Sequence, residues 1–272
     1  MSSYQGGFDL EKKPKIVYAC NIKYRETNMK NIINQIRKEL LASADKKHKV
    51  NIDRWYKEPV RFIGVKTPTV RKIADKYWQE IKHLDKKQIF ELCEELLKGN
   101  KNNPFDEEAT IAYAWAYKLK KQYTKNDWKI FERWLKNYVT NWGKCDDFCT
   151  HAFGELLSQY PEFVPVVKKW TKSTNRWVRR ASAVIFIKSN NTYHTGKSSL
   201  EDIFYIADAL LLDLDNLVQK GYGWMLKAAS FGHRQEVFDY VIKNRDKMPR
   251  TALRYAIEKM PEGMKKKAMK NK

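Results

Sequence analysis

From residue 30 to residue 259 the apolar side chains return every third or fourth position and rarely alternate. That period belongs to helices that bury one face, so it restricts the chain to helices packed on helices. In "NIINQIRKELLASADKK" the residues Ile32, Ile33, Ile36, Leu40 and Leu41 fall on one such face. "TPTVRKIADKYWQEIKHL" places Val70, Ile73, Ala74, Tyr77, Trp78 and Ile81 the same way, with Thr67 predicted as N-cap and Pro68 as the first helical residue. "DKKQIFELCEELLKG" repeats the design between Asp85 as cap and Gly99 as stop. Comparable segments continue to "RTALRYAIEKMP", giving about a dozen predicted helices joined by short polar turns. "ASAVIFIKS", the nearest approach to a strand, reads instead as the continuation of a helix begun near Trp177.

From Ala109 onward the predicted helices pair off every 35–45 residues or so, the spacing of HEAT-type α-solenoids. In such an array each pair buries its apolar face on its neighbours, and a concave surface is left over. Residues 1–272 are read as one all-α domain, with 1–15 a candidate disordered lead-in and 262–272 a basic tail.

The charge says what that surface meets. Lys plus Arg number 53 against 32 Asp plus Glu, a formal net charge of +21, while 43% hydrophobic residues suffice for a core. Such an excess attracts a polyanion: nucleic acid, anionic membrane or an acidic protein. No run approaches the ~20 apolar residues of a spanning helix, and the first residues show no signal-like apolar stretch. The expected place is therefore intracellular, either cytoplasmic (nucleoid-associated) or nuclear. Cys20, Cys93, Cys145 and Cys149 fit reduced thiols. "CDDFCTH" lacks the fourth ligand and paired spacing of a zinc site, and "TYHTGKSSLED" lacks the spacing of a phosphate loop, so neither metal nor cofactor is expected. No histidine stands in a recognisable hydrolase triad.

One stretch stands apart in this basic chain: "TNWGKCDD". Trp142 and Asp146 are four apart and share a face if the segment is helical. Asp146 and Asp147 point about 100° apart, so only one can face a site. A carboxylate beside an aromatic plane suits a sugar ring at whose anomeric carbon positive charge develops; the plain alternative is a core tryptophan followed by a capping aspartate. In "NRWVRRASAV" the neighbours Arg179 and Arg180 diverge, one toward a groove. In "QKGYGWMLKAAS" Trp224 lies among Gly221, Gly223, Ala228 and Ala229, which allow close helix packing or close approach of a ligand. Trp115, Trp128, Trp134 and Trp170 sit at apolar helical positions and are assigned to the core.

Taken in order, "RWYKEPVRFIGVKTPTVRKI", "NWGKCDD", "NRWVRRASAV", "QKGYGWMLKAAS" and "RTALRYAIEKM" resemble the successive motifs of the AlkD-like DNA alkylation repair glycosylases, over about residues 50–260. The resemblance implies a right-handed α-solenoid of HEAT-like repeats with a concave, basic DNA-binding surface. It implies a monomeric enzyme that excises cationic alkylated purines, of the 3-methyladenine and 7-methylguanine type, from double-stranded DNA, without metal, cofactor or base-flipping pocket. Carried over by position, the catalytic aspartate falls on Asp146 and the sugar-contacting tryptophans on Trp142 and Trp224. The arginine that meets the DNA backbone falls on Arg180 and an aromatic residue of the first repeats on Trp55; the nearby basic residues Arg179 and Lys227 join them as candidate DNA contacts. Where relatives often carry an acid directly after the tryptophan, this chain has Gly143 and Lys144, so a one-residue slip making Asp147 the inward acid stays open. Two other readings stand beside the glycosylase: a non-catalytic binder of damaged or branched DNA, and a protein-interaction scaffold with an acidic partner.

Overall fold

The computed structural model describes residues 29–100, 104–187 and 199–270. The lead-in 1–15, Cys20, His194 and most of "TYHTGKSSLED" lie outside them. The described residues form α-helices with no β-strand: α1 (29–42), α2 (Lys46–Asp53), α3 (Thr67–Ile81), α4 (Lys86–Lys98), α5 (Asp106–Lys118), α6 (Asp127–Tyr138), α7 (Trp142–Phe148) and α8 (Gly154–Gln159). Then follow α9 (Val164–Trp170), α10 (Arg176–Val184), α11 (Leu200–Ala209), α12 (Asn216–Ala229), α13 (Arg234–Asn244), α14 (Arg250–Ile257) and α15 (Glu262–Met269). None is long and apolar enough to cross a membrane.

Contacts between helices follow a simple order. α3 packs on α5, α5 on α7, α7 on α10, α10 on α12 and α12 on α14, making one continuous row. α4, α6, α9, α11 and α13 lie against that row and partly against one another. Neighbours in space are neighbours in sequence, which is the α-solenoid that the paired spacing predicts. The core is strongly aromatic: Trp115 and Trp134 are fully buried, and Trp128 and Trp170 nearly so. Phe131 meets Trp134, Phe148 and Phe153 at centroid distances of 5.3–5.6 Å.

Several element ends differ from expectation. The N-cap of α3 is Lys66, not Thr67, which is already helical; Pro68 still occupies the first turn, where its missing N–H costs nothing. Asp85 and Gln88 form a reciprocal capping box on α4, and Gly99 ends it at φ 68°. α10 stops at Val184 rather than running on. Ile185, Phe186 and Ile187 are fully buried in a turn, and β-branched and aromatic residues give the helix little reason to continue.

Three successive acids at the start of α5 tie this part of the chain together, and all three are buried. Glu108 pairs with Arg37 of α1 at 2.6 Å and accepts from the Phe105 N–H at 2.8 Å. Glu107 accepts from the backbone N–H groups of Ile63, Gly64 and Val65 at 3.1, 2.8 and 3.1 Å. That turn needs glycine at its centre: Gly64 sits at φ 100°, and a Cβ there would lie 2.9 Å from the Asp45 carbonyl oxygen. Asp106 reaches the other way, to the start of α7.

Candidate active site

α7 opens at Trp142 because Asn141 caps it in an extended conformation, its side-chain oxygen accepting from the Lys144 N–H at 2.9 Å. The other end of the same amide donates to Asp106 at 2.6 Å, and the buried Lys144 Nζ lies 2.8 Å from that carboxylate. The first turn of α7 is thereby fastened to the first turn of α5. Trp142 and Asp146, one helical turn apart, line the same cleft of about 880 Å³. The row of helices supplies its walls in order: α7, then Arg176 and Arg180 of α10, Asn216, Lys220 and Trp224 of α12, and Tyr255 of α14. The loop after α2 adds Trp55, Lys57, Glu58 and Pro59 to the lining. Trp55 is 76% exposed, an indole held out into solvent at the cleft's edge.

Asp146 is gripped by Arg180 through both carboxylate oxygens, at 2.9 Å from Nε and 2.8 Å from Nη2. Arg180 Nη1 donates to the Leu217 carbonyl of α12, so the guanidinium bridges α7 and α12. Its side chain is only 6% exposed and that of Asp146 18%. Burial raises the pKa of Asp146 above the ordinary carboxylate value, outweighing the charge and hydrogen bonds of Arg180, which lower it. Asp147 faces elsewhere, as the helical rotation requires. Its Oδ1 lies 3.3 Å from Arg71 Nη2 and 3.3 Å from His151 Nδ1, in grooves that also contact Tyr113. Beyond these acids the helix widens into a π-helical stretch, Cys149–Phe153, before continuing as α8. There Thr150 donates to the Asp146 carbonyl at 2.8 Å and His151 Nδ1 lies 2.9 Å from the Asp147 carbonyl. Such stretches recur beside functional residues.

Residues 36–260 match the family described as DNA alkylation repair enzyme. The chain belongs to that family. A solved structure described as a predicted DNA alkylation repair enzyme from Enterococcus faecalis matches with a TM-score of 0.69, over 81% of this chain and 98% of its own, at 14% identity. At that identity the likeness speaks for the fold alone. No curated protein matches the sequence significantly.

Within this DNA alkylation repair fold, five residues singled out from sequence line one cleft: Trp55, Trp142, Asp146, Arg180 and Trp224. Two others do not. Arg179, expected to contact DNA, lies 2.6 Å from Asp213 and donates to the carbonyls of Ser173 and Thr174 at 2.9 and 3.2 Å. Its guanidinium clasps the start of α10 to the loop before α12, because one residue of helical rotation turns it away from Arg180. Lys227, also expected on DNA, pairs with Glu258 at 2.9 Å and sits over the Tyr255 ring, fastening α12 to the end of α14. Gly221 and Gly223 serve helix packing. A Cβ on Gly223 would lie 2.7 Å from the Ala252 carbonyl oxygen, and one on Gly221 3.3 Å from Arg180 Cγ.

Arg176, Lys220 and Tyr255 also line the cleft, and Tyr56 stacks on Trp142, though none stood out in the sequence. Arg176 precedes Arg180 by four, and Asn216, Lys220 and Trp224 recur at intervals of four, so helical spacing contained those signals. Tyr255 and Tyr56 had none beyond being aromatic.

Trp224 is half-buried and borders the cleft. Trp224→Ala is expected to lower any excision rate by roughly 2–30-fold, the worth of one partly desolvated aromatic–cation contact, with a smaller effect on stability. Parallel kinetics and thermal melts check this; a collapse of Tm with unchanged rate per folded molecule would make Trp224 a core residue.

Proposed function

We propose that the protein is a monomeric DNA glycosylase that hydrolyses the N-glycosidic bond of cationic alkylated purines, of the 3-methyladenine and 7-methylguanine type, in double-stranded DNA. The observation that carries the reading is the placement of the Asp146 carboxylate in a cleft bordered by Trp142, Trp224 and Trp55. A purine alkylated at N3 or N7 already bears a positive charge. Its bond to C1′ breaks without a general acid, the electron pair leaving with the base, which departs neutral. Positive charge then gathers on the sugar as an oxocarbenium-like centre. A carboxylate stabilises that centre and orients the water that adds to C1′, its proton passing to Asp146 or solvent and leaving an abasic site. Two indole faces add cation–π attraction. Lys57 and Lys220 on the cleft walls suit the phosphates on either side, contacts that fix position without reading sequence, while Arg176 is held by Asp215 at 2.7 Å. Nothing in this chemistry calls for a metal, a cofactor or a closed pocket for the base.

The test is release of methylated purines from alkylated duplex DNA by the wild type and by Asp146→Asn. One observation favours a second reading, a non-catalytic binder of damaged or branched DNA: Arg180 occupies both oxygens of Asp146. Under that reading the pair is a structural clasp, and the same assay gives no release while salt-sensitive DNA binding persists.

The pH profile gives a further check. Asp146 acts as the anion, and its pKa lies above the ordinary carboxylate value. The acid limb of enzymatic excision is therefore expected above that value, with activity lost as pH falls through the limb. Arg180→Met removes the groups that lower the Asp146 pKa, so the limb moves to still higher pH. Initial rates, corrected for spontaneous depurination, decide it. A limb that stays in place or moves down would separate Arg180 from the ionisation of Asp146.

A further inference from the structure

Trp142 has a partner that does not line the cleft. The Tyr56 ring stacks on it with centroids 4.8 Å apart and planes 10° from parallel, and Tyr56 leans on Phe62 at 5.2 Å. Tyr56 borders a smaller groove of about 300 Å³ behind Trp142, shared with Gly143, Arg71 and Asp147. The next residue after Trp142 makes this stack possible. A Cβ added to Gly143 would stand 2.4 Å from the Tyr56 hydroxyl oxygen but 3.5 Å from Tyr56 Cζ, an ordinary contact. The phenol thus occupies the space that any side chain at position 143 would take. Asn141 Oδ1, at 3.3 Å from that Cβ, is the other near neighbour and is held by the α7 cap.

We propose that Tyr56 is a positioning residue for the glycosylase reaction, setting the plane of Trp142 from behind, and that Gly143 is present to admit it. The inference rests on the glycosylase reading for its kinetic consequence but not for its geometry. A stacked ring pair restricts the tilt of both partners, and the indole of Trp142 is useful to a developing sugar cation only when its face is turned to the cleft. A tilt would leave DNA bound and misplace one stabilising group, so the loss should appear in kcat more than in KM.

The pair makes a self-contained genetic test. Gly143→Ala should lower kcat by up to roughly 2–30-fold, the worth of one partly desolvated aromatic–cation contact, because its methyl meets the phenol oxygen. Tyr56→Phe should retain near wild-type rate, since it keeps the ring. Gly143→Ala combined with Tyr56→Phe should recover most of the lost rate, because the clashing atom is gone. Tyr56→Leu should lower kcat like Gly143→Ala, and adding Gly143→Ala to it should restore nothing. A readout independent of catalysis is the ¹⁹F resonance of 5-fluorotryptophan at Trp142, assigned by its loss in Trp142→Phe. It should move in Gly143→Ala and in Tyr56→Leu and return in the double variant.

Full activity with an unmoved resonance in Gly143→Ala overturns the proposal, as does a double variant no better than the single. If Tyr56→Phe falls as far as Tyr56→Leu, the hydroxyl acts rather than the ring and positioning by stacking is wrong. If the wild type itself releases no base, the glycosylase reading fails, while the resonance still decides whether Tyr56 sets Trp142.

Discussion

Asp146→Asn is expected to lower excision of methylated purines by about 100–1000-fold, the effect of removing one preorganised group that meets developing charge. The substitution keeps the shape of the side chain and removes the negative charge that the reacting sugar would face. It also leaves Arg180, with a side chain 6% exposed, without its counter-charge. Losing one partner of a buried pair costs about 3–5 kcal/mol; here the figure should be smaller, because the Asp146 side chain is 18% exposed and the amide oxygen can still accept from the guanidinium. Rates are therefore to be compared under single-turnover conditions well below the melting temperature of the variant. Affinity for duplex DNA should persist, since one acid fewer in a cleft that also holds Lys57 and Lys220 favours phosphate. Equal release by variant and wild type would sink the catalytic role of Asp146.

Glu107→Ala is expected to lower stability strongly although it lies outside the cleft. Its carboxylate is the acceptor for three consecutive backbone N–H groups, of Ile63, Gly64 and Val65. Each buried donor left unmade costs about 1–3 kcal/mol, so the loss should be at least about 3 kcal/mol. For a chain of this size that corresponds to a fall in Tm of roughly 6–12 °C. Differential scanning calorimetry measures it directly, and a fall of only 1 or 2 °C (on the order of 0.5 kcal/mol) would mean that the turn finds other acceptors. The consequence reaches the cleft. The turn at 63–65 anchors the end of the loop that carries Trp55, Tyr56 and Lys57, so limited proteolysis should cut near that loop sooner in Glu107→Ala.

The helices themselves were legible because each satisfies its own backbone and advertises its buried face at a fixed period. Asp85 and Gly99 marked the limits of α4 from sequence, whereas Thr67 misplaced the start of α3 by one residue because proline in the first turn tolerates either register. The end of α10 was missed for another reason: Ile185, Phe186 and Ile187 look like more of an apolar face, and only the backbone, which turns after Val184, shows that they have left the helix.

The candidate site divides along the same line. Local periodicity set Trp142 and Asp146 on one face and turned Asp147 about 100° away, and the motif order placed Arg180 and Trp224 within reach of them. Sequence could not distinguish Arg179 from Arg180, because both belong to one helix and which side meets α7 depends on how the helices pack. Nor could it show that Lys227 is held by Glu258, that Asp106 fastens the start of α7, or that the Tyr56 phenol fills the space above Gly143. Those contacts join residues 31 to 87 positions apart. By itself the sequence determined which residues lie on each helical face, since that follows from the rotation per residue. Only the tertiary structure decided which faces meet, because pairing across the solenoid depends on shape, charge and burial summed over many helices at once.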